Sequence, residues 1–274
     1  MLLTTDTVRD AVAGMVGRVV VVGRTGSTSS DLVAGATAEP AAWPDRSLLV
    51  ADHQAAGRGR AGRTWHTPPG EALTMSLLVR PAVPVDRFGW LALLGGLAVV
   101  RALSGLGVPA VLKWPNDILV DGAEGDLPGW GTRRKVAGVL AELVPTAPGA
   151  HPAAVIGIGV NVTQRTLPVA SATSLARCGV VVDRTVLLAD VVAALVGLDD
   201  RWRAAGGDAA QAGLAAECAA ACCTLGESVL VRLPGGAVLA GRATALSPGG
   251  ALQVVDADGR EHVVLAGDVE QVRH

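Results

Sequence analysis

Several amino acids are scarce in this chain of 274 residues: it has no tyrosine, one phenylalanine, two lysines, two asparagines and three isoleucines. The remaining basic residues, 21 of 23, are arginines. The scarce residues share AT-rich codons, which indicates a GC-rich genome that replaces lysine by arginine wherever the chemistry permits. Lysine's compact point charge cannot be imitated by the planar guanidinium. Chance and a buried sheet explain the isoleucines, but we expect a function for Lys113, Asn116, Lys135 and Asn161.

Other absences exclude whole classes of protein. The formal net charge of −2 gives no general attraction to nucleic acid. The longest apolar run, Trp90 to Val100, is too short and too glycine-rich to span a bilayer, and the first ten residues lack the basic segment of a signal peptide. The four cysteines form no C-x-x-C pair, which predicts reduced thiols, no zinc site and a cytoplasmic location.

The most unusual motif is the stretch GRGRAGR at residues 57–63. Backbone N–H groups and guanidinium forks in such a loop can close around a polyanion, above all a phosphate chain. Its G-x-G-x-x-G spacing is typical of dinucleotide-binding folds, but Pro68 and Pro69 prevent the helix that this motif requires. No P-loop sequence occurs. We predict a flexible cationic clamp that is disordered without ligand, because its arginines repel one another and have no internal partner.

Hydroxyl side chains cluster at residues 26–31 (GSTSSD), between a β-branched run and a helical pattern. They suit a helix N-cap, and they also suit a pocket rim for a neutral polar molecule, because ligands of α/β folds usually lie at such helix starts. The two interpretations are compatible.

Residues 113–117 (KWPND) lie between two short predicted strands. An ordinary hairpin turn explains them, since Trp-Pro favours an extended or turn conformation and Asn-Asp supplies turn hydrogen bonds. Because two scarce residues, Lys113 and Asn116, fall in this turn, we favour a functional site. Lys135 begins the next strand, where a lysine can also serve only to protect a sheet edge.

Periodicity and turn signals predict the remaining elements. Helices are expected over 4–16, 86–106, 185–205 and 208–223, a helix start after 26–31, and strands over 19–22, 47–52, 70–80, 110–121 (two), 135–142 and 154–161. The paired glycines 95 and 96 predict close packing of their helix on a sheet. After residue 223, four short strands separated by PGG, SPGG and DADG turns predict a small β-barrel over 228–233, 237–246, 252–255 and 261–265. The expected domains are therefore 1–223 and 224–274.

Four motifs in fixed order, GRGRAGR, KWPND, KVAGVLAE (135–142) and GIGVN (157–161), resemble biotin protein ligases. With the Ser27-Thr28 pair and the C-terminal strands, the resemblance covers nearly the whole chain. It implies an α/β (α+β) fold: a mixed, antiparallel-to-parallel central sheet flanked by helices, like class II aminoacyl-tRNA synthetases, and a C-terminal SH3-like β-barrel. It also implies an adenylate-forming ligase. Biotin and ATP, with Mg²⁺, give biotinyl-5′-AMP and pyrophosphate, and the biotinyl group passes to one lysine of a carrier domain of an acyl-CoA carboxylase.

The resemblance assigns roles to motif residues without requiring a covalent enzyme nucleophile. Lys135 would be the catalytic cation, bridging the biotin carboxylate and the α-phosphate, helped by Arg58 and Arg60. The biotin-binding set is Ser27, Thr28, Gln54, Gly57, Arg58, Lys135 and Gly138. The ATP- and adenylate-binding set is Arg58, Arg60, Arg63, Trp65, Lys113, Asn116, Asp117, Lys135 and Asn161, with Trp65 stacked on adenine. Mg²⁺ would be held through the phosphates, with Asp117 as a candidate ligand.

The chain departs from the family pattern in three places. Ser29 stands where family members usually have asparagine. Segment 122–134 is longer than the usual turn, and we expect a mobile loop in which Arg133 and Arg134 are solvated or contact phosphates. Few residues precede Ser27, so we expect no DNA-binding domain and a monofunctional ligase that is a monomer or weak homodimer, with no nucleic-acid or membrane partner.

Two other functions remain open. A lipoate or octanoate ligase or transferase of the same fold is the nearest, and a long apolar acyl tunnel would favour it. A non-catalytic phosphate or nucleic-acid binder could also use the arginine loop, although net acidity and the lack of an aromatic-lined basic surface argue against it.

Overall fold

The computed structural model describes residues 3–122, 125–128, 130–147, 149 and 151–271. In chain order the elements are α1 (Thr5–Ala11), β1 (Arg18–Val22), α2 (Thr28–Ala38), β2 (Ser47–Ala51), β3 (Gly57–Arg58), β4 (Thr64–Trp65), β5 (Ala72–Val79), α3 (Trp90–Gly105), β6 (Ala110–Lys113), β7 (Asp117–Asp121), β8 (Arg133–Val144), β9 (Ala153–Asn161), α4 (Arg184–Ala204), α5 (Leu214–Ala221), β10 (Ser228–Arg232), β11 (Val238–Leu246), β12 (Leu252–Val255), β13 (Glu261–Val264) and β14 (Asp268–Gln271). Short 3₁₀ turns occupy 60–62 and 85–87.

The centre of the fold is a seven-stranded mixed sheet in the order β1-β2-β5-β9-β8-β7-β6. Only β1 and β2 run parallel, and every other neighbouring pair is antiparallel. The prediction of a mixed α/β sheet flanked by helices is confirmed. The long central strands β5, β8 and β9 are rich in β-branched and small residues, which suits strands that are covered on both faces.

Helices cover the two faces of this sheet. Helix α3 packs closely on one face, as the paired glycines predict: a Cβ on Gly96 would lie 2.4 Å from Leu112, and one on Gly95 would lie 2.9 Å from Val139. Helix α4 packs beside α3. On the opposite face, α2 buries Leu32 and Ala36 in a smaller apolar cluster with residues of β2, β5, β8 and β9. That helix covers only part of its face.

The C-terminal strands form a separate antiparallel sheet in the order β13-β12-β11-β10-β14. Four were predicted, and β14 was missed because its short sequence, DVEQ, carries a single apolar residue. Within the described residues, no pairing between the end strands closes this sheet into a barrel, so the SH3-like closure remains an expectation. The division at residue 224 also remains a prediction.

The turn at 247–250 joins the C-terminal sheet to the side of the large sheet that carries α3. The indole of Trp90 donates to the carbonyl of Pro248 (2.8 Å), and that of Trp114 donates to Gly250 (3.2 Å). Trp114 also donates its backbone N–H to the hydroxyl of Thr224 (3.0 Å). Since Trp114 belongs to the KWPND turn, the C-terminal sheet is tied directly to that motif.

Helix α3, predicted from 86, begins at Trp90 after a 3₁₀ turn, and two further predicted helices are also shorter than expected. The first ends at Ala11 rather than 16, before Gly14, whose φ is +76°. The last begins at Leu214 rather than 208, because Gly213 at its start has φ +73°. In both places a left-handed glycine outweighs the helical pattern of the neighbouring alanines.

Among the described residues, no helix combines the length and apolarity that crossing a bilayer requires. The four cysteines are free thiols. Burial raises the pKa of Cys218 to about 12, which makes that thiol a poor nucleophile.

Candidate active site

A cavity of about 980 Å³ opens on the same face of the sheet as α2, in the part of that face that the helix leaves uncovered. Its walls come from the start of α2, the β3–β4 ribbon, strands β8 and β9 and the C-terminal sheet. The structure brings nearly all predicted site residues together in this lining: Ser27, Thr28, Gln54, Arg58, Arg60, Arg63, Trp65, Lys113, Asn116, Asp117, Lys135, Gly138 and Asn161. Gly57 is the one predicted residue that does not line the cavity.

Buried hydroxyls and one amide form the polar end of the cavity. Ser27 caps α2, accepting from the backbone N–H of Ser30. The backbone N–H and the hydroxyl of Thr28 both donate to Oε1 of Gln54, at 2.8 and 3.0 Å. Both the N-cap interpretation and the pocket-rim interpretation of these hydroxyls are therefore compatible with the structure.

A second row of hydroxyls supports this end from beneath. The hydroxyl of Ser76 lies 2.8 Å from that of Thr28 and 3.0 Å from that of Ser29. Ser29, the residue that replaces the family's usual asparagine, fills space left by Gly157, where a Cβ would lie 2.2 Å from its Oγ. Ser76 was missed because a serine inside an apolar strand gives no sequence signal of its partners.

The arginine stretch is a two-stranded ribbon around a 3₁₀ turn. Gly57 pairs with Trp65 across it, and a Cβ on Gly57 would lie 2.4 Å from the Trp65 carbonyl oxygen. The turn needs left-handed backbone at Ala61 and Gly62, whose φ angles are +52° and +73°. Gly57 thus acts through the closeness of the two strands, not by lining the cavity.

Two of the clamp arginines have partners outside the ribbon. Arg58 donates to both carboxylate oxygens of Glu142, at 2.5 and 3.2 Å, and to the hydroxyl of Ser30. Arg63 pairs with Asp268 of the C-terminal sheet. The expectation that these arginines lack internal partners was wrong, because β8 and β14 supply carboxylates that the sequence places far away. Disorder of the clamp without ligand remains a prediction.

Arg60 is the most enclosed arginine of the clamp. Burial lowers its pKa, while the carboxylates of Asp268 and Asp117 oppose that effect. Arg60 also lines the cavity, together with Asp117 of the large sheet and Asp268 of the C-terminal sheet.

Trp65 lies flat on the sheet. Gly138 and Gly159 are register partners in β8 and β9, and a Cβ on Gly159 would lie 2.5 Å from the indole. Without side chains at these two glycines the indole can approach the strands closely, and its stacking on adenine stays a prediction.

Two lysines and an aspartate form the charged centre. The Nζ of Lys135 lies 2.5 Å from Oδ1 of Asp117, and 5.5 Å from the centre of the Trp65 ring. Gly138 leaves room for the lysine, since a Cβ there would lie 3.1 Å from Nζ. Burial lowers the pKa of Lys113, which the charge of Asp117 partly opposes.

The two asparagines hold the backbone around the cavity. Asn116 donates its side-chain amide to the carbonyl of Val139 (2.9 Å). Asn161 donates to the carbonyl of Thr173 (2.9 Å) and accepts from the side chain of Gln164 (3.0 Å). Their scarcity in the sequence predicted a function for both asparagines, and both line the cavity. Their amide groups, however, contact protein atoms in this structure. Nucleotide contacts by these side chains remain a prediction.

Segment 122–134 falls partly outside the described residues, since 123, 124 and 129 are not described. Arg134 is 2% exposed, and it donates to the carbonyls of Gly125 and Gly131, both at 2.7 Å. The expectation of a solvated or phosphate-binding side chain was wrong for Arg134, because loop carbonyls use its guanidinium.

Sequence reasoning also missed residues that tertiary packing brings to the cavity. These include Pro128 and Trp130 of the 122–134 segment, four residues of the 168–172 loop, and Arg232, Asp268, Val269 and Glu270 of the C-terminal sheet. The 168–172 loop reaches Lys135 through backbone bonds, Lys135 N–H to Ser171 (2.7 Å) and Thr173 N–H to Lys135 (2.9 Å).

Two family models match this chain. The model of the Biotin/lipoate A/B protein ligase family matches residues 25–161. The model of the Biotin protein ligase C terminal domain matches residues 224–270.

Individual proteins give the same result. A biotin–[acetyl-CoA-carboxylase] ligase of Mycobacterium tuberculosis is 40% identical over 260 residues, which cover 92% of this chain and 88% of the relative. A biotin protein ligase from Aquifex aeolicus, solved in complex with biotin and ATP, has a TM-score of 0.69 and 26% identity, covering 94% of this chain and 100% of that one. A bifunctional ligase/repressor of Bacillus subtilis is 38% identical over 123 residues, 44% of this chain and 34% of the relative.

Proposed function

Because this chain belongs to the biotin protein ligase family, we propose that it joins biotin to ATP and then transfers the biotinyl group to a lysine of a biotin carboxyl-carrier domain. The cavity carries this proposal, since it joins a neutral polar end to a cationic centre. A ureido ring and a carboxylate on one molecule match these two ends, and the triphosphate of a nucleotide matches the cations.

The polar end supplies the groups that a ureido ring needs. The carbonyl oxygen of Gln54 is occupied by Thr28, so its amide nitrogen keeps donors for a ligand, while the serine hydroxyls offer acceptor lone pairs. An apolar lipoyl or octanoyl chain would leave these buried groups unsatisfied, at a cost of about 1–3 kcal/mol each. The arrangement therefore favours biotin over the fatty acids.

The cationic centre addresses the electrostatic difficulty of the first step. A biotin carboxylate oxygen forms a bond to the α-phosphorus, and the bond from that phosphorus to the β-phosphate bridge breaks, releasing pyrophosphate. Both reactants are anions, so preorganised cations are needed where the charge develops. Lys135, at the middle of the cavity, stabilises this charge, with Arg58 and Arg60 closing from the ribbon.

Mg²⁺ is part of the proposal as the companion of the triphosphate. This ion usually binds through one or two carboxylates and the substrate phosphates, and Asp117 is a carboxylate at the cationic centre. Since Asp117 already pairs with Lys135, the ion's remaining ligands would be phosphate oxygens and water. When bound, it would neutralise phosphate charge and favour the leaving of pyrophosphate.

In the second step, the carrier lysine amine attacks the acyl carbon and AMP leaves. The ribbon and the 168–172 loop shield the mixed anhydride from water until the carrier docks. A carrier domain of an acyl-CoA carboxylase is the proposed partner, and a cytoplasmic location suits the free thiols. The proposed oligomeric state is a monomer or a weak homodimer. No nucleic-acid or membrane partner is part of the proposal.

Acid-dependent exchange of pyrophosphate into ATP tests the first step. The purified full chain is assayed with biotin, lipoate, octanoate or no acid, and biotin-dependent exchange is expected. Transfer is then followed by the mass of a carrier domain, which should increase at one lysine. Exchange with lipoate or octanoate but not biotin would assign the chain to the sister reaction. No exchange with any acid would refute the adenylation proposal.

A further inference from the structure

The segment between β7 and β8 is a folded arm in the part that the structure describes. The backbone of Leu127 donates to Gly131 (2.9 Å), and Gly131 and Trp130 donate back to Leu127 at 2.8 and 2.9 Å. At the base of the arm, the N–H of Gly122 donates to Thr132 (2.8 Å). These bonds close a tight turn between Leu127 and Gly131, beyond the ends of β7 and β8.

A buried arginine holds this turn in place. The guanidinium of Arg134, 2% exposed, donates to the carbonyls of Gly125, Gly131 and Arg133 at 2.7, 2.7 and 2.9 Å. Burial of a charge is costly unless the group is hydrogen-bonded, and here both terminal nitrogens of the guanidinium donate to carbonyls of the arm. Arg134 therefore fixes the position of the turn, and with it the position of Trp130.

The arm directs an indole into the cavity at its cationic end. Trp130 and Pro128 line the cavity together with Lys113 and Asp117. The Nζ of Lys113 lies 4.2 Å from the centre of the Trp130 ring, a cation–π distance. Trp130 is half-buried rather than enclosed in the core, and it lines the cavity.

We propose that Trp130 is a binding residue for the purine base of the nucleotide, with Lys113 beside it for the phosphates. This rests on the proposed adenylation reaction. An indole stacks on the aromatic ring of any base, whereas biotin has no aromatic ring for such stacking. The hydroxyl and amide groups that suit biotin belong to other elements, α2 and the segment after β2. The arm thus provides an aromatic contact for the base in addition to any from Trp65.

The test compares Trp130→Ala and Trp130→Phe with a matched control, Trp43→Ala. Trp43 also carries a cation over its ring, Arg18 at 4.0 Å, but does not line the cavity. Base stacking contributes about 1–3 kcal/mol, so KM for ATP in the exchange assay should rise about 5- to 150-fold in Trp130→Ala. Trp130→Phe should retain most of the affinity, and KM for biotin should stay within about twofold in each Trp130 variant.

Inhibition by parts of the nucleotide separates a base contact from a phosphate contact. Adenosine should lose affinity for Trp130→Ala by the same factor as ATP, whereas pyrophosphate should inhibit as in the wild type. An unchanged KM for ATP, or an equal rise in KM for biotin, would overturn the inference while leaving the proposed reaction standing. If the wild type shows no exchange, the proposed reaction fails. Calorimetric binding of adenosine to the wild type and Trp130→Ala then still decides whether the indole contacts a base.

Discussion

The ammonium of Lys135 and the carboxylate of Asp117 form an ion pair of 2.5 Å at the centre of the cavity. Their side chains are 24% and 17% exposed, so the pair is largely shielded from solvent. A substrate carboxylate that reaches Lys135 must replace or share Asp117 as its partner. The pair therefore holds the cation in position before the substrate arrives.

We expect Lys135→Ala to lower the rate of biotin-dependent exchange by about 10²–10³-fold, because a preorganised cation is lost where charge develops. Lys135→Arg should restore little, since its planar fork cannot replace a point charge in the narrow space above Gly138. Arg101→Ala, which removes a cation paired with Glu217 outside the cavity, is the control. A rate within about tenfold of wild type for Lys135→Ala would contradict the catalytic role.

The second prediction concerns Gly138 and Gly159, the register partners that lie under Trp65. Gly159→Ala places a Cβ 2.5 Å from the indole, so the ring must move away from the sheet. We expect KM to rise for both substrates, because the ribbon that carries Arg58 and Arg60 moves with the ring. Gly197→Ala in α4 meets nothing within 4 Å and should increase stability by up to about 1 kcal/mol. Steady-state exchange and urea unfolding measure the two effects, and unaltered KM values in Gly159→Ala would contradict this packing argument.

The sequence predicted more of the cavity's charges than of their partners. The scarcity of lysine identified Lys113 and Lys135, because a compact charge that survives codon pressure is a local signal. It could not indicate that Asn116 and Asn161 bond the backbone, since the carbonyls they contact belong to other segments. Residue composition indicates which side chains have a function. Their hydrogen-bond partners depend on the order of the strands in the sheet, which composition does not show.

The dependence on partners also explains which strands of the fold could be predicted from the sequence. Long strands such as β5 and β9 were visible because their apolar runs are continuous. β14 was not, although its Asp268 reaches the clamp arginine Arg63. An exposed four-residue edge strand has too little apolar pattern to be recognised. Trp130 was missed for a related reason: only the buried bonds of Arg134 determine where the arm that carries it points.

A third prediction concerns stability at low pH. Burial by itself raises the pKa of Asp45, but hydrogen bonds from the Arg203 side chain and the Arg80 backbone N–H lower it below its usual value. The stabilisation is complete above the unfolded pKa of about 3.9 and is lost as the pH falls through the lower folded pKa. Urea unfolding should show Asp45→Asn less stable than wild type at pH 6, with the difference narrowing as the pH falls through the lowered pKa of Asp45.

A control for charge removal is Asp258→Asn, in the exposed 256–259 turn. Because its side chain is 73% exposed, this change should alter the unfolding free energy at pH 6 by no more than about 0.5 kcal/mol. A gap between wild type and Asp45→Asn that does not narrow on acidification would show that the carboxylate's charge is not what stabilises the fold.

The buried hydroxyls at the polar end have a fixed direction of donation. The backbone N–H of Thr28 identifies the Gln54 atom it contacts as the carbonyl oxygen, and the Thr28 hydroxyl gives its single hydrogen to the same oxygen. Thr28 can therefore only accept from Ser76. Ser76, having donated its hydrogen, must accept from Ser29. One serine outside the cavity lining thus bonds to the hydroxyls of both Thr28 and Ser29.

We accordingly expect Ser76→Ala to raise KM for biotin about 2- to 10-fold, the effect of losing one buried hydrogen bond of about 0.5–1.5 kcal/mol, with KM for ATP unchanged. Thr74→Val is the matched control, because Thr74 is a buried hydroxyl two residues away on the same face of β5 that donates to the Ala51 carbonyl instead. Calorimetric titration of biotin without nucleotide measures the effect directly. Wild-type biotin affinity in Ser76→Ala, or an equal loss in Thr74→Val, would show that strand packing rather than hydroxyl orientation shapes the polar end.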